Sequence, residues 1–247
     1  MRKLLLINPN TSEAVSALLQ HQAQLAAGPG AVVHTVTARF GAPYIACEAS
    51  YAVAGHAVLD AWATSLTAQP VSFDAVLIGC FGDPGLMALR ECSGVPVTGL
   101  AEAAFFEAAR TGRFAILTGG LRWQPILERL ADNLGFGAKL AGIHTVTQSG
   151  AELARDPAAA QALLQKACLA CAERFGIDSI ILGGAGLAGM ARKIQPGVPL
   201  PVIDSVEAGV RHALNLPPVT ARTSPKFDFA WHKLSPELTT LGVSSCV

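Results

Sequence analysis

The chain has 247 residues, 51% of them apolar and 15% charged, with 18 basic and 18 acidic side chains that cancel. That is enough for one large or two small domains with a sizeable core. It carries no basic, aromatic-interleaved stretch of the kind that binds nucleic acid and no apolar run as long as a membrane span. The six cysteines are scattered through an otherwise ordinary chain, which fits reduced thiols in a cytosolic protein better than a disulfide framework.

Taken in chain order, short apolar runs alternate with alanine-rich helical stretches. Met1 to Ile7 has the charge of a leader but an apolar run that stops at Asn8-Pro9-Asn10, so residues 3–8 are expected to form a first strand. Further strands are predicted at 32–37, 74–80, 95–99, 113–118, 140–146, 178–183 and 200–203. Several are unbroken apolar runs, as parallel strands covered on both faces require. Helices are predicted at 11–27, 48–68, 84–92, 101–110, 121–134, 157–174 and 205–214, the first capped by Thr11 or Ser12. The alternation implies crossover connections and a mostly parallel sheet. Residues 215–247, with four prolines and no clear period, read as an extension packed on the surface, a candidate for an oligomer contact.

The order of elements also repeats. Asp74-Ala-Val-Leu-Ile-Gly79-Cys80-Phe81-Gly82 returns as Asp178-Ser-Ile-Ile-Leu-Gly183-Gly184-Ala185-Gly186, 104 positions later. Val95-Pro96-Val97 returns as Leu200-Pro201-Val202 after 105, and the strand from Lys3 returns from Arg113 after 110. The period is too long for a solenoid unit and indicates duplication of a domain. The expected fold is therefore α/β with two pseudo-symmetric halves, 1–98 with 207–247 and 99–206, each a mostly parallel sheet flanked by helices.

Ligands of open α/β sheets bind beyond the carboxyl ends of the strands. In this chain those ends are Asn8 to Thr11, Gly79 to Asp83, Thr118 to Gly120 and Gly183 to Gly186, four turns facing one interdomain cleft. Cys80 is the candidate catalytic group: it ends a strand just before a helix that Pro84 would open, where a helix N-terminus would favour thiolate. Read alone, a cysteine is as readily a small buried core residue. Asn10 and Thr11 offer donors that could hold a carboxylate or imide oxygen, or simply cap a helix. Thr118 and Gly119 sit at the equivalent place in the second half, and Gly184 and Ala185 could present backbone N–H groups to an oxyanion. Phe81 and Gly82 complete the set of binding candidates. The glycines at 183–186 do not make a nucleotide-binding fingerprint, because Asp204, 20 residues past Gly184, belongs to the internal repeat. Cys168 and Cys171 share one face of an alanine-rich helix and read as core. His56 follows Pro43-Tyr44-Ile45, a stretch placed to wall or cover the cleft. No metal site is indicated.

Ile7-Asn8-Pro9-Asn10-Thr11-Ser12, Gly79-Cys80-Phe81-Gly82-Asp83-Pro84-Gly85-Leu86, Arg90-Glu91 and Gly99-Leu100-Ala101-Glu102-Ala103 resemble the hydantoin and allantoin racemase branch of the aspartate/glutamate racemase superfamily. The resemblance runs from residue 3 to about 210. It implies Rossmann-like halves, a cofactor-independent isomerase acting on a small molecule, a homo-oligomer, and one cysteine from each half, on opposite faces of the substrate carbon. Cys80 matches the first. The second would follow Leu182-Gly183, where this chain has Gly184. Three readings stand: a racemase or epimerase using Cys80 with another group on the second face, a single-thiol lyase resembling arylmalonate decarboxylase, or a binding protein. The C5–H of a hydantoin is more acidic than an amino-acid α-proton, which suits a site with one strong base and no evident arginine clamp, though Arg122 lies within reach of the second-half turn.

Overall fold

The computed structural model describes residues 1–68, 72–148, 152–153, 156–219 and 231–242. Two four-stranded parallel sheets dominate it. The first takes strands β1 (Arg2–Asn8), β2 (Ala31–Thr37), β3 (Ala75–Ile78) and β4 (Val97–Gly99) in the order β2-β1-β3-β4. The second takes β5 (Phe114–Gly119), β6 (Leu140–Val146), β7 (Ser179–Gly183) and β8 (Val202–Asp204) in the matching order β6-β5-β7-β8. Every pairing is parallel. The unbroken apolar character of β3 and β7 follows from this: every residue of both strands is buried, because helices cover both faces of the sheet.

The helices are α1 (Glu13–Ala27), α2 (Glu48–Ala68), α3 (Leu86–Cys92), α4 (Leu100–Ala109), α5 (Trp123–Asn133), α6 (Pro157–Arg174), α7 (Met190–Ile194), α8 (Ser205–Asn215) and α9 (Pro236–Gly242). Ser12 caps α1 by accepting from the Val15 N–H at 3.4 Å. Cys168 and Cys171 are fully buried in α6 against the second sheet's own core cluster.

Two helices change sides. α4 follows β4 of the first sheet but packs on β7 and β8 of the second, while α8 follows β8 but packs on β1, β3 and β4. The two pack against each other between the sheets. The larger core cluster accordingly runs through both halves, joining Leu4, Ile7 and Leu77 to Phe105, Phe114, Ile116 and Leu127. The first strand also meets the end of α8: the Arg2 guanidinium donates to the carbonyls of Leu214 and Leu216.

The segment expected as an unpatterned extension contains α9, which packs on α2. Ser235 caps it, accepting from the Leu238 N–H at 3.2 Å, and itself donates to Asp60. Arg39 ties the contact together, with Asp60 at 2.7 Å and Glu237 at 2.9 Å. Residues 220–230 and 243–247, including Cys246, lie outside the described residues. Among the described residues no helix is long and apolar enough to cross a membrane.

Candidate functional site

The carboxyl ends of β1, β3, β5 and β7 converge on a cavity of about 50 Å³, room for roughly four waters and so for a compact solute. Asn10 and Val15 line it after β1, Gly79, Cys80 and Phe81 after β3, Thr118 and Gly119 at the end of β5, and residues 183–187 after β7. Tyr44, Ile45 and Trp123 close it. Seven of the nine site residues expected from sequence are in this lining. Thr11 and Gly82 are not. The Thr11 N–H is spent on the Ala42 carbonyl at 3.2 Å. Gly82 lies beneath two aromatic side chains: a Cβ there would fall 2.6 Å from the Trp123 ring, and its carbonyl accepts from the Tyr51 hydroxyl at 2.7 Å. His56 is an exposed residue edge-on to Phe40 and takes no part. The neighbouring Tyr44 and Ile45, singled out only as part of a stretch, do.

The polar lining has fixed orientations. The Asn10 side-chain oxygen accepts from Asn8 Nδ2 at 3.0 Å and from the Ser12 N–H at 2.9 Å. With its oxygen engaged twice, the Asn10 amide offers its NH2 to a ligand. The Thr118 hydroxyl donates to the Gly183 carbonyl at 2.7 Å, so towards a ligand it acts as an acceptor rather than the donor expected from sequence. Phe81 reaches across from the first half to lie on Gly183, where a Cβ would come within 2.3 Å of its ring. Gly184 adopts φ 144°, a conformation that side-chain-bearing residues rarely take, and its N–H donates to Ser205 Oγ at 3.3 Å.

The ionisation of Cys80 departs from the sequence expectation. α3 opens at Leu86 with Gly85 at its N-cap, not at Pro84, and Cys80 is not at a helix N-terminus. Cys80 is 7% exposed. Burial, and then the neighbouring Asp83 carboxyl, push its pKa well above the ordinary thiol value. Near neutral pH Cys80 is thereby held as a neutral thiol, a proton donor.

Asp83 itself was not singled out from the sequence. It is fully enclosed, has a left-handed backbone (φ 52°), and accepts the Ala101 and Glu102 N–H groups of α4 at 2.9 and 2.7 Å. The Cys80 turn is thereby tied to the first turn of α4. In the second half the same task falls to Asp204, which accepts from the Val206 and Glu207 N–H groups of α8 at 2.9 and 3.3 Å and from Gly189 at 2.7 Å. Asp204 repeats position 99, not 83. Gly99 is side-chain-free because the Asp83 carboxyl fills that place: a Cβ on Gly99 would lie 2.1 Å from Asp83 Cγ. Each half thus sets a carboxyl at the start of its crossing helix, but from a different strand end. No spacing rule in one dimension reveals that substitution.

A thiol facing a small cavity between two like α/β halves is the architecture of a cleft enzyme. The Asp/Glu/hydantoin racemase family matches the chain over residues 4–213. The chain is 32% identical to a hydantoin racemase of Paenarthrobacter aurescens over 226 residues, 90% of this chain and 94% of that one. It is 30% identical to a hydantoin racemase of Pseudomonas sp. (strain NS671) over 223 residues, 90% and 88% of the two chains. Among solved structures, an allantoin racemase from Klebsiella pneumoniae superposes with TM-score 0.81 at 32% identity, covering 87% of this chain and 86% of the other. The chain belongs to the Asp/Glu/hydantoin racemase family, and it is an isomerase of the racemase type.

Proposed function

We propose that the protein racemises or epimerises a small, uncharged ring, a 5-monosubstituted hydantoin or allantoin, by moving a proton at the ring carbon next to a carbonyl, with Cys80 as one acid–base group. One observation carries this reading: among the described residues lining the cavity, none is charged. A carboxylate or zwitterion moved there would lose its hydration with no counter-charge, at a cost of several kcal/mol. A neutral imide ring loses far less, and its N–H and C=O groups find Thr118 Oγ1 and the Asn10 amide. Phe81 and Trp123 supply flat apolar walls for a planar ring.

The chemistry follows from the lining. A carbon acid next to a carbonyl loses its proton more readily when the developing oxyanion meets a preset donor, which is the place of the Asn10 NH2. Cys80, protonated at rest, then delivers its proton to the face it touches. No bound cofactor is needed for these steps, and the reduced thiols Cys47, Cys80, Cys92, Cys168 and Cys171 suit a cytosolic protein. Assembly as a homo-oligomer is part of the same proposal.

Gly184 favours a second reading, a single-thiol decarboxylase, while the uncharged lining argues against a dicarboxylate substrate. One experiment separates them. Optical rotation and C5 deuteration are followed for L-5-monosubstituted hydantoins and (S)-allantoin in D2O, with wild type and Cys80→Ser. The expected result is loss of rotation with deuterium at C5, slowed about 100-fold or more by the substitution. Deuteration with rotation retained would move the assignment to the lyase. Silence of the wild type across the panel would overturn the hydantoin reading.

A further inference from the structure

Inversion at carbon needs a proton taken from one face and returned to the other, and the residue that repeats Cys80 in the second half is Gly184, which has no side chain to do either. Of the described residues lining the cavity, Cys80 and Tyr44 alone carry a thiol or phenol proton. The Asn10 amide does not ionise, and the Thr118 hydroxyl is committed to the Gly183 carbonyl.

The position of Tyr44 is specific. Its loop leaves the first half between β2 and α2, yet its hydroxyl donates to the Gly119 carbonyl of the second half at 3.3 Å. In the second sheet Thr118 of β5 pairs with Gly183 of β7. Gly119 therefore stands abreast of Gly184, and the phenol rests on the wall from which the second thiol is missing. Gly120, at φ 94°, lies beside it, where a Cβ would be in ordinary contact with the phenol oxygen at 3.4 Å. The loop is held by Ile45, which is 2% exposed, and by Ser50 Oγ, which accepts the Ala46 and Cys47 N–H groups at 3.0 and 3.1 Å.

We propose that Tyr44 is the acid–base group of the second face, standing in for the absent cysteine, so that the enzyme inverts its substrate with an unlike pair, a phenol and a thiol. This rests on the racemase reading above. The Tyr44 phenol first gives its proton to solvent and releases the Gly119 carbonyl. From that phenolate and the Cys80 thiol, the C5 proton passes to the Tyr44 oxygen while the C–H electrons move onto the ring carbonyl as an enolate. The Cys80 proton then bonds to C5 from the opposite face as those electrons return. The enzyme is left as phenol and thiolate, the form that takes the opposite enantiomer in reverse. After the one proton lost to solvent at the outset, protons and electrons balance through each turnover without a further reactant. Unlike groups also imply unequal handling of the two enantiomers: one is deprotonated by oxygen and the other by sulfur.

The test uses each pure enantiomer of a substrate that the wild type turns over, in D2O, and compares initial C5 deuteration with initial inversion for wild type, Tyr44→Phe and Cys80→Ser. Tyr44 is a half-buried loop residue and phenylalanine keeps its ring, so the thermal melting curve of the variant should match wild type. The expected result is inversion slowed about 100-fold or more in Tyr44→Phe, with deuteration surviving for one enantiomer only, and surviving for the other enantiomer only in Cys80→Ser. A Tyr44→Phe protein that inverts within about tenfold of wild type overturns the assignment, as does one that folds normally but deuterates neither enantiomer, which would make Tyr44 a positioning residue. A wild type inactive on every hydantoin overturns instead the racemase reading beneath it.

Discussion

Cys80 shows how far a single residue can be understood from its place in the chain. A cysteine ending an apolar strand and followed by Phe-Gly-Asp-Pro-Gly is legible as the thiol of a cleft, and the structure puts it in the cavity. Its protonation was not legible, because that depends on burial and on Asp83, whose carboxyl is turned towards α4 by a left-handed backbone. The relative reactivity of Cys47 and Cys80 follows. Cys47 is half-buried, and hydrogen bonds from Ser50 lower its pKa, while Cys80 is held as thiol. With iodoacetamide near neutral pH and peptide mapping by mass spectrometry, Cys47 is expected to label ahead of Cys80, which should react at least about tenfold more slowly, since each unit of raised pKa removes about nine-tenths of the thiolate. Labelling of Cys80 ahead of Cys47 would contradict the buried-thiol state. Tyr44 is the opposite case: nothing in Pro43-Tyr44-Ile45 says that its hydroxyl crosses to the other half, since that contact exists only once the two sheets face each other.

At the level of elements the sequence was more informative. All eight strands lie where apolar runs predicted them, because a doubly covered parallel strand tolerates few polar residues. Helix starts were legible where a residue caps its own helix, as Ser12 does. They were not where the cap comes from elsewhere, as with Asp83 on α4, and α9 escaped because seven residues show no usable period, although Ser235-Pro236 is a cap followed by a first-turn proline. The α4 cap also has a consequence for pH. Burial outweighs the two N–H donors and raises the Asp83 pKa from its ordinary 3.8 to about 7. The folded protein thus keeps a proton there that the unfolded chain releases near pH 4. Stability from this group is greatest below that point and falls as pH rises to about 7. Denaturant titrations between pH 4 and 8 should show Asp83→Asn, which cannot ionise, losing this slope relative to wild type. An unchanged slope would mean that Asp83 is already ionised at pH 4 in the fold.

The whole molecule was legible as a duplication, with three segments recurring in the same order at nearly the same offset, and the two sheets share one strand order. α4 and α8 cross between the sheets, α4 buried along most of its length and α8 along one face. Because the main core cluster runs through both halves, neither is expected to melt alone. Calorimetry should give one cooperative transition with equal calorimetric and van't Hoff enthalpies, and two resolved transitions would show that the halves are independent. The meeting of Arg2 with the carbonyls of Leu214 and Leu216 has a topological consequence. The start and the finish of the two-sheet body are neighbours in space. A short bridge across that junction would turn the body into a closed ring, which could be cut at an exposed turn to give a circular permutant in which the second half is translated first.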